Sequence, residues 1–157
     1  YVLSENSDGT LVKANSSVKR NLKTWITKYK MINDTIDIMD GEFVNLGVEY
    51  VVMSNQEVPA LELRSECDSR LAAELNTRSL ELGEHFYLTR IYDTLRKIDG
   101  VLDVLEVRLY RVTGNEYSDT YFDVRQQMSP DGRYLIAPHN VAFEFKDISK
   151  NIIGGIA

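Results

Sequence analysis

The chain has 157 residues, enough for one domain with a core of its own and no metal or disulfide support. Its 18 Lys and Arg stand against 24 Asp and Glu, a net charge of -6, which argues against the phosphate backbone of nucleic acid as the main partner, because that binding needs clustered cations. Cys67 is the only cysteine, so no internal disulfide forms and a reducing compartment during synthesis is expected, and no apolar stretch approaches the roughly 20 residues that span a bilayer.

Residues 1–15 read as a flexible tail or linker, because Ser4, Asn6, Ser7, Asp8 and Gly9 supply no buried face. The segment also lacks the apolar core of a signal peptide. It begins with Tyr rather than Met, as expected of a piece of a longer chain. Ser16 or Ser17 is a candidate N-cap for a helix over about 17–31. Val18, Leu22, Trp25, Ile26 and Tyr29 share one stripe of that helix, and Lys19, Arg20, Lys23, Lys28 and Lys30 make its solvated side.

After the break at Asn33-Asp34, Ile36 and Ile38, with Met39, suggest a short strand, and Asp40-Gly41 a hairpin or tight corner. From Val44 to Val52 the alternation of Val44, Leu46, Val48, Tyr50 and Val52 with mixed residues is that of a strand covered on one side. A helix enters through Asn55–Pro59 and runs to about Asn76, with Leu63, Cys67, Leu71 and Leu75 every four residues. Leu88, Ile91, Tyr92, Leu95 and Ile98 form another helical stripe, closed by Gly100.

Residues 101–112 read as a second long strand, with Leu105, Val107 and Leu109 inward and Glu106, Arg108 and Tyr110 outward. Gly114-Asn115 and Pro130-Asp131-Gly132 are turns around an aromatic, polar stretch without clear period. Tyr134–Ala137 and Val141–Lys146 suggest two short strands joined at Pro138-His139-Asn140, and Gly154-Gly155 a mobile tail. The sum is an α+β domain over 16–150, flanked by flexible segments at 1–15 and 151–157. A mostly antiparallel sheet would carry two long helices on one face, with a third helix leading in. A ferredoxin-like split is the topology the element order suggests.

Few residues offer chemistry. Asp34, Asp37 and Asp40 precede Gly41 but fall every third residue, whereas a calcium loop needs ligands at alternating positions and a glutamate at its twelfth. One Cys and two distant His do not make a zinc site. Cys67 lies on an apolar helical stripe, where a thiol packs as a small hydrophobe. His85 and His139 fall near a helix start and in a turn. No nucleophile elbow, phosphate loop or dinucleotide fingerprint is present. No catalytic residue, metal ligand or cofactor is therefore assigned.

Aromatic residues are more suggestive. Tyr117, Tyr121 and Phe122, close to Arg125, either form an interface or cap the end of the sheet; Tyr and Arg are enriched at protein–protein contacts. Trp25 belongs to the core by default, or to a partner if its helix packs outward.

Three stretches together resemble a known family: NLKTWITKYKMINDTIDIMDGEFVNLGVEYVV, then LTRIYDTLRKIDGVLDVLEVRLY, then YSDTYFDVRQQMSPDGRYLIAPHNVAFEFKD. Over Val12 to Ile153 this pattern is similar to the baseplate J-like wedge proteins of contractile-tailed phages, in their C-terminal region. The resemblance implies a non-enzymatic structural protein of the virion tail baseplate, made in the host cytoplasm. It would dimerise and bind other wedge subunits in the ring around the tail hub, a ring that rearranges on sheath contraction. The family carries no catalytic or metal residues to transfer. A different reading of the same fold class is a regulatory domain that binds a small molecule.

Overall fold

The structure is a computed structural model that describes residues 1–76 and 80–157. In chain order its elements are β1 (Leu3–Glu5), β2 (Leu11–Lys13), α1 (Ser16–Thr27), β3 (Glu42–Ser54), α2 (Ala60–Asn76), β4 (Phe86–Tyr87), α3 (Thr89–Arg96), β5 (Val101–Arg111), β6 (Tyr134–Leu135), β7 (Val141–Glu144) and β8 (Ile152–Ile156). The fold is α+β.

The 13-residue β3 is the centre of the main sheet. β5 runs antiparallel along one side of it. The other side is shared end to end by two parallel strands, β7 against Glu42–Asn45 and β8 against Val48–Val52. The chain leaves and regains this edge through Asp147, whose left-handed φ of 50 opens a 3-10 turn at Ile148–Lys150. The main sheet is thus mixed, and antiparallel pairing dominates only when the small sheets β1–β2 and β4–β6 are counted with it.

Alternation along β3 separates two environments. Val44, Leu46, Val48, Tyr50 and Val52 are wholly buried in one core with Leu63, Cys67 and Leu71 of α2 and Ile91 and Leu95 of α3. Those helical residues fall every four positions, the spacing that lines one face of a helix. α3 is closed by Gly100, whose φ of +100 favours glycine and turns the chain into β5. On the opposite face of the sheet, Gly47 stands opposite Tyr110 in the register, and the tyrosine ring lies where a Cβ on Gly47 would sit. Tyr110 reaches across β3 and donates from its hydroxyl to the carbonyl of Asn151 (3.1 Å).

Several expectations are corrected. Both helices lie in the single connection between β3 and β5, so the topology is not ferredoxin-like. Only α2, at 17 residues, is long; α3 has 8. Leu105 is about half exposed rather than inward, because a β-bulge between Val51 and Val52 gives β5 one extra residue and brings Val104 inward instead. Residues 36–39 form no strand, and Asp40 makes an isolated bridge to Val2 rather than a hairpin turn. The two short strands expected around Pro138-His139-Asn140 are present as β6 and β7, of which β6 joins β4 and β7 joins β3.

Both segments expected to be tails are built into the fold. Residues 3–13 make a hairpin turned at Asp8-Gly9, tied to the domain through the Leu11 amide on Glu144 Oε1 (2.6 Å) and through backbone bonds between Val2 and residues 39–41. Residues 152–156 are β8. Gly154 is required there because the Tyr50 ring leaves no space for a Cβ, and Tyr50 in turn donates to Asp68 Oδ1 (2.7 Å).

Candidate functional site

α1 is positioned by the hairpin before it. Asn15 rather than Ser16 or Ser17 is the N-cap: its backbone is extended and its Oδ1 accepts from the Val18 amide (2.9 Å). Lys19 pairs with Asp40 (2.9 Å), tethering one side of the helix to the chain that leads into β3. The helix ends at Thr27, short of the expected Met31, with Lys28 and Tyr29 folding back onto Trp25 and Ile26 carbonyls.

No residue of α1 is buried. Trp25 is 59% exposed and its ring is tilted against Tyr29, with centroids 5.1 Å apart. Val18, Tyr29, Met31 and Ile32 are exposed as well, so the apolar stripe continues beyond the helix. The apolar stripe of α1 therefore faces water rather than the core of the domain.

The aromatic stretch after β5 divides in two. Phe122 is 8% exposed and packs edge-on against Phe143 of β7 (5.3 Å), which makes it part of the core. Tyr117 is half-buried: its hydroxyl accepts from Asn151 Nδ2 (3.1 Å), and Lys146 sits over its ring (5.7 Å). Asn151 also donates to the carbonyls of Lys146 and Asp147, so Tyr117 belongs to the brace that holds the β7–β8 connection. Tyr121 is 82% exposed beside the Arg111 guanidinium (5.9 Å), and Arg125 is exposed.

Tyr121, Phe122 and Arg125 meet on one open groove of about 880 Å³ that runs along β5. Leu88, Leu109, Val124 and Met128 contribute apolar surface to it, and Arg108 and Arg111 line it with Arg125. Of the five residues singled out in the sequence, the structure brings these three together. Tyr117 and Trp25 do not line the groove. Sequence reasoning missed Arg108, Arg111 and the exposed Met31-Ile32 pair. The charged residues alternating along β5 were a usable signal for the first two.

A second polar cluster secures the stretch that carries these aromatics. Asn45, almost fully buried on β3, donates to Glu144 Oε2 (2.6 Å) and accepts from the Ser118 amide (2.7 Å). Thr120 donates to Glu42 Oε2 (2.7 Å), and that hydrogen bond holds the Glu42 carboxyl below its ordinary value. Buried polar atoms are thereby satisfied; among the described residues none lacks a partner.

The residues with nucleophilic or metal-binding chemistry are engaged in the fold. Cys67 is fully buried, and burial pushes its thiol up to about 11. His85 accepts at Nδ1 from the Ala137 amide (3.0 Å) and stacks on Tyr134, while His139 sits edge-on to Tyr1. Asp40 is paired with Lys19, and Asp34 accepts from the Met31 amide (3.3 Å). Among the described residues no group of three or more His, Cys, Asp or Glu is placed to share a metal ion, and no helix is long and apolar enough to cross a membrane.

No family model matches the chain, and no curated protein matches it significantly.

Proposed function

We propose that the chain is a structural component of a baseplate wedge in a contractile phage tail. It has no chemistry of its own and binds no cofactor, nucleic acid or membrane. Its work is to join subunits, a second copy of itself and other wedge proteins, in the ring around the tail hub. Bistable contacts between rigid domains let such a ring rearrange when the sheath contracts. The sequence resemblance motivates this reading. The observation that carries it is α1, an amphipathic helix with none of its residues buried and the only tryptophan of the chain turned to water. Tyr121 and Arg125 on the groove beside β5 supply a second exposed aromatic and cationic contact.

The experiment is complementation of tail assembly with a chain carrying Trp25→Ala and Tyr121→Ala. Electron microscopy is expected to show tails without complete baseplates. Normal baseplates in normal numbers would overturn the assignment of these residues to the wedge contacts. The same groove gives the regulatory reading its one specific support, as a concave surface with convergent arginines. That reading requires a small anion to raise the melting temperature in a way that Arg125→Ala abolishes.

A further inference from the structure

β5 is an edge strand of 11 residues, and among the described residues it pairs with β3 alone. Two residues along it, Leu102 at 64% and Leu105 at 48%, are exposed. A long edge strand with exposed leucines is a template for another strand, and folds that keep one either cover it or use it.

The strand's own sequence says what covers it. In the register with β3, Val107 and Leu109 face the helices, and Glu106 and Arg108 face the other way. Two copies of β5 related by a two-fold axis perpendicular to the sheet must run antiparallel and keep each face on its own side. The ladder is then centred on a single residue, because neighbours in a strand point to opposite faces. Centring on Glu106 sets two glutamates against each other, and centring on Arg108 sets two arginines. Centring on Leu105 or Leu109 leaves Glu106 and Arg108 without charged partners. Centring on Val107 places Glu106 opposite Arg108 of the second copy, twice by symmetry. The two charges already attract within one chain, where Arg108 Nη2 lies 2.6 Å from Glu106 Oε1.

We infer that β5 pairs with β5 of a second copy about a two-fold axis at Val107, joining two main sheets into one continuous sheet. This deepens the assembly reading by naming the surface through which two copies meet, yet it stands on the edge strand and its charge pattern. Directly opposed unlike charges favour a strand pair and like charges oppose it.

The test is sedimentation equilibrium of the 157-residue chain from low micromolar to near-millimolar concentration. The wild type is expected to dimerise. Arg108→Glu alone and Glu106→Arg alone each weaken the dimer by about tenfold or more, since both turn two attractive cross-strand pairs into repulsive ones. The double variant Glu106→Arg with Arg108→Glu restores the wild-type constant. Both side chains are exposed, and unchanged far-UV circular dichroism and melting confirm that each variant is folded. A wild type that stays monomeric at near-millimolar concentration overturns the inference. So does a dimer indifferent to the single reversals, or a double variant as weak as the single ones. None of these results touches the assignment of α1, whose readout is the tail particle.

Discussion

α1 and α2 both carry apolar residues at helical spacing, yet the fold treats them oppositely. Leu63, Cys67, Leu71 and Leu75 of α2 are buried against the central strand. Val18, Leu22, Trp25, Ile26 and Tyr29 of α1 and its extension bury nothing completely, and Trp25 and Tyr29 are plainly exposed. Spacing records that a helix has a partner face without saying whose face meets it. α2 uses its stripe to fold the domain. α1 leaves its stripe in water while the Asn15 cap and the Lys19–Asp40 ion pair hold the helix in place.

Truncating the buried stripe has the largest expected effect. Leu71→Ala should cost about 3 kcal/mol, the range for removing a fully buried leucine from a packed core. Urea unfolding measures it, and a loss near zero would mean that α2 is not packed as described. Next comes the far side of the sheet. Gly47→Ala should cost roughly 1–3 kcal/mol by overpacking against Tyr110. Combined with Tyr110→Ala it should cost clearly less than the two changes summed, because the second removes the clash of the first. Strict additivity would show that the ring does not lie over Gly47.

A smaller effect sharpens the contrast through pH. The Cys67 thiol is raised from 9.0 to about 11 by burial. The unfolded chain therefore loses that proton first as pH rises. Cys67's share of stability is complete below pH 9 and is lost progressively between pH 9 and 11, by about 3 kcal/mol at most. Tyr50, raised by burial and by Asp68, adds a loss of the same sign above pH 10. Cys67→Ala should flatten stability between pH 9 and 10 while leaving the steeper fall above it. An unchanged profile would place the thiol in water.

The regular parts of this fold were legible because periodicity reports burial where one element packs on one core. α2 and β5 have one covered face and declare it, and β3 keeps the alternation although Tyr110 and Ser118 cover part of its second face. Three features escaped because each depends on a distant residue. Gly154 and Gly155 look like a loose tail until Tyr50, a hundred residues earlier, demands a glycine beside it. Leu105 breaks the alternation of β5 because the bulge is set by the pairing with β3. The hairpin at residues 3–13 had its Asp8-Gly9 turn in view, but strands of three residues have too little pattern to be seen. The candidate site was legible in kind rather than in detail. Tyr121 and Arg125 line the groove as exposed residues and Phe122 as a buried one, whereas Tyr117 proves to be a brace. Isolated aromatics cannot be sorted into braces and contacts until their neighbours are known.

Under the proposed function one helical stripe folds the domain and the other assembles it. Trp25→Ala tests this most directly when read twice, by thermal unfolding of the purified chain and by the yield of complete tails it supports. Stability within about 0.5 kcal/mol of the parent is expected, as for a surface change, together with failure of baseplate assembly. Full assembly at unchanged stability, or a marked fall in the melting temperature, would contradict it.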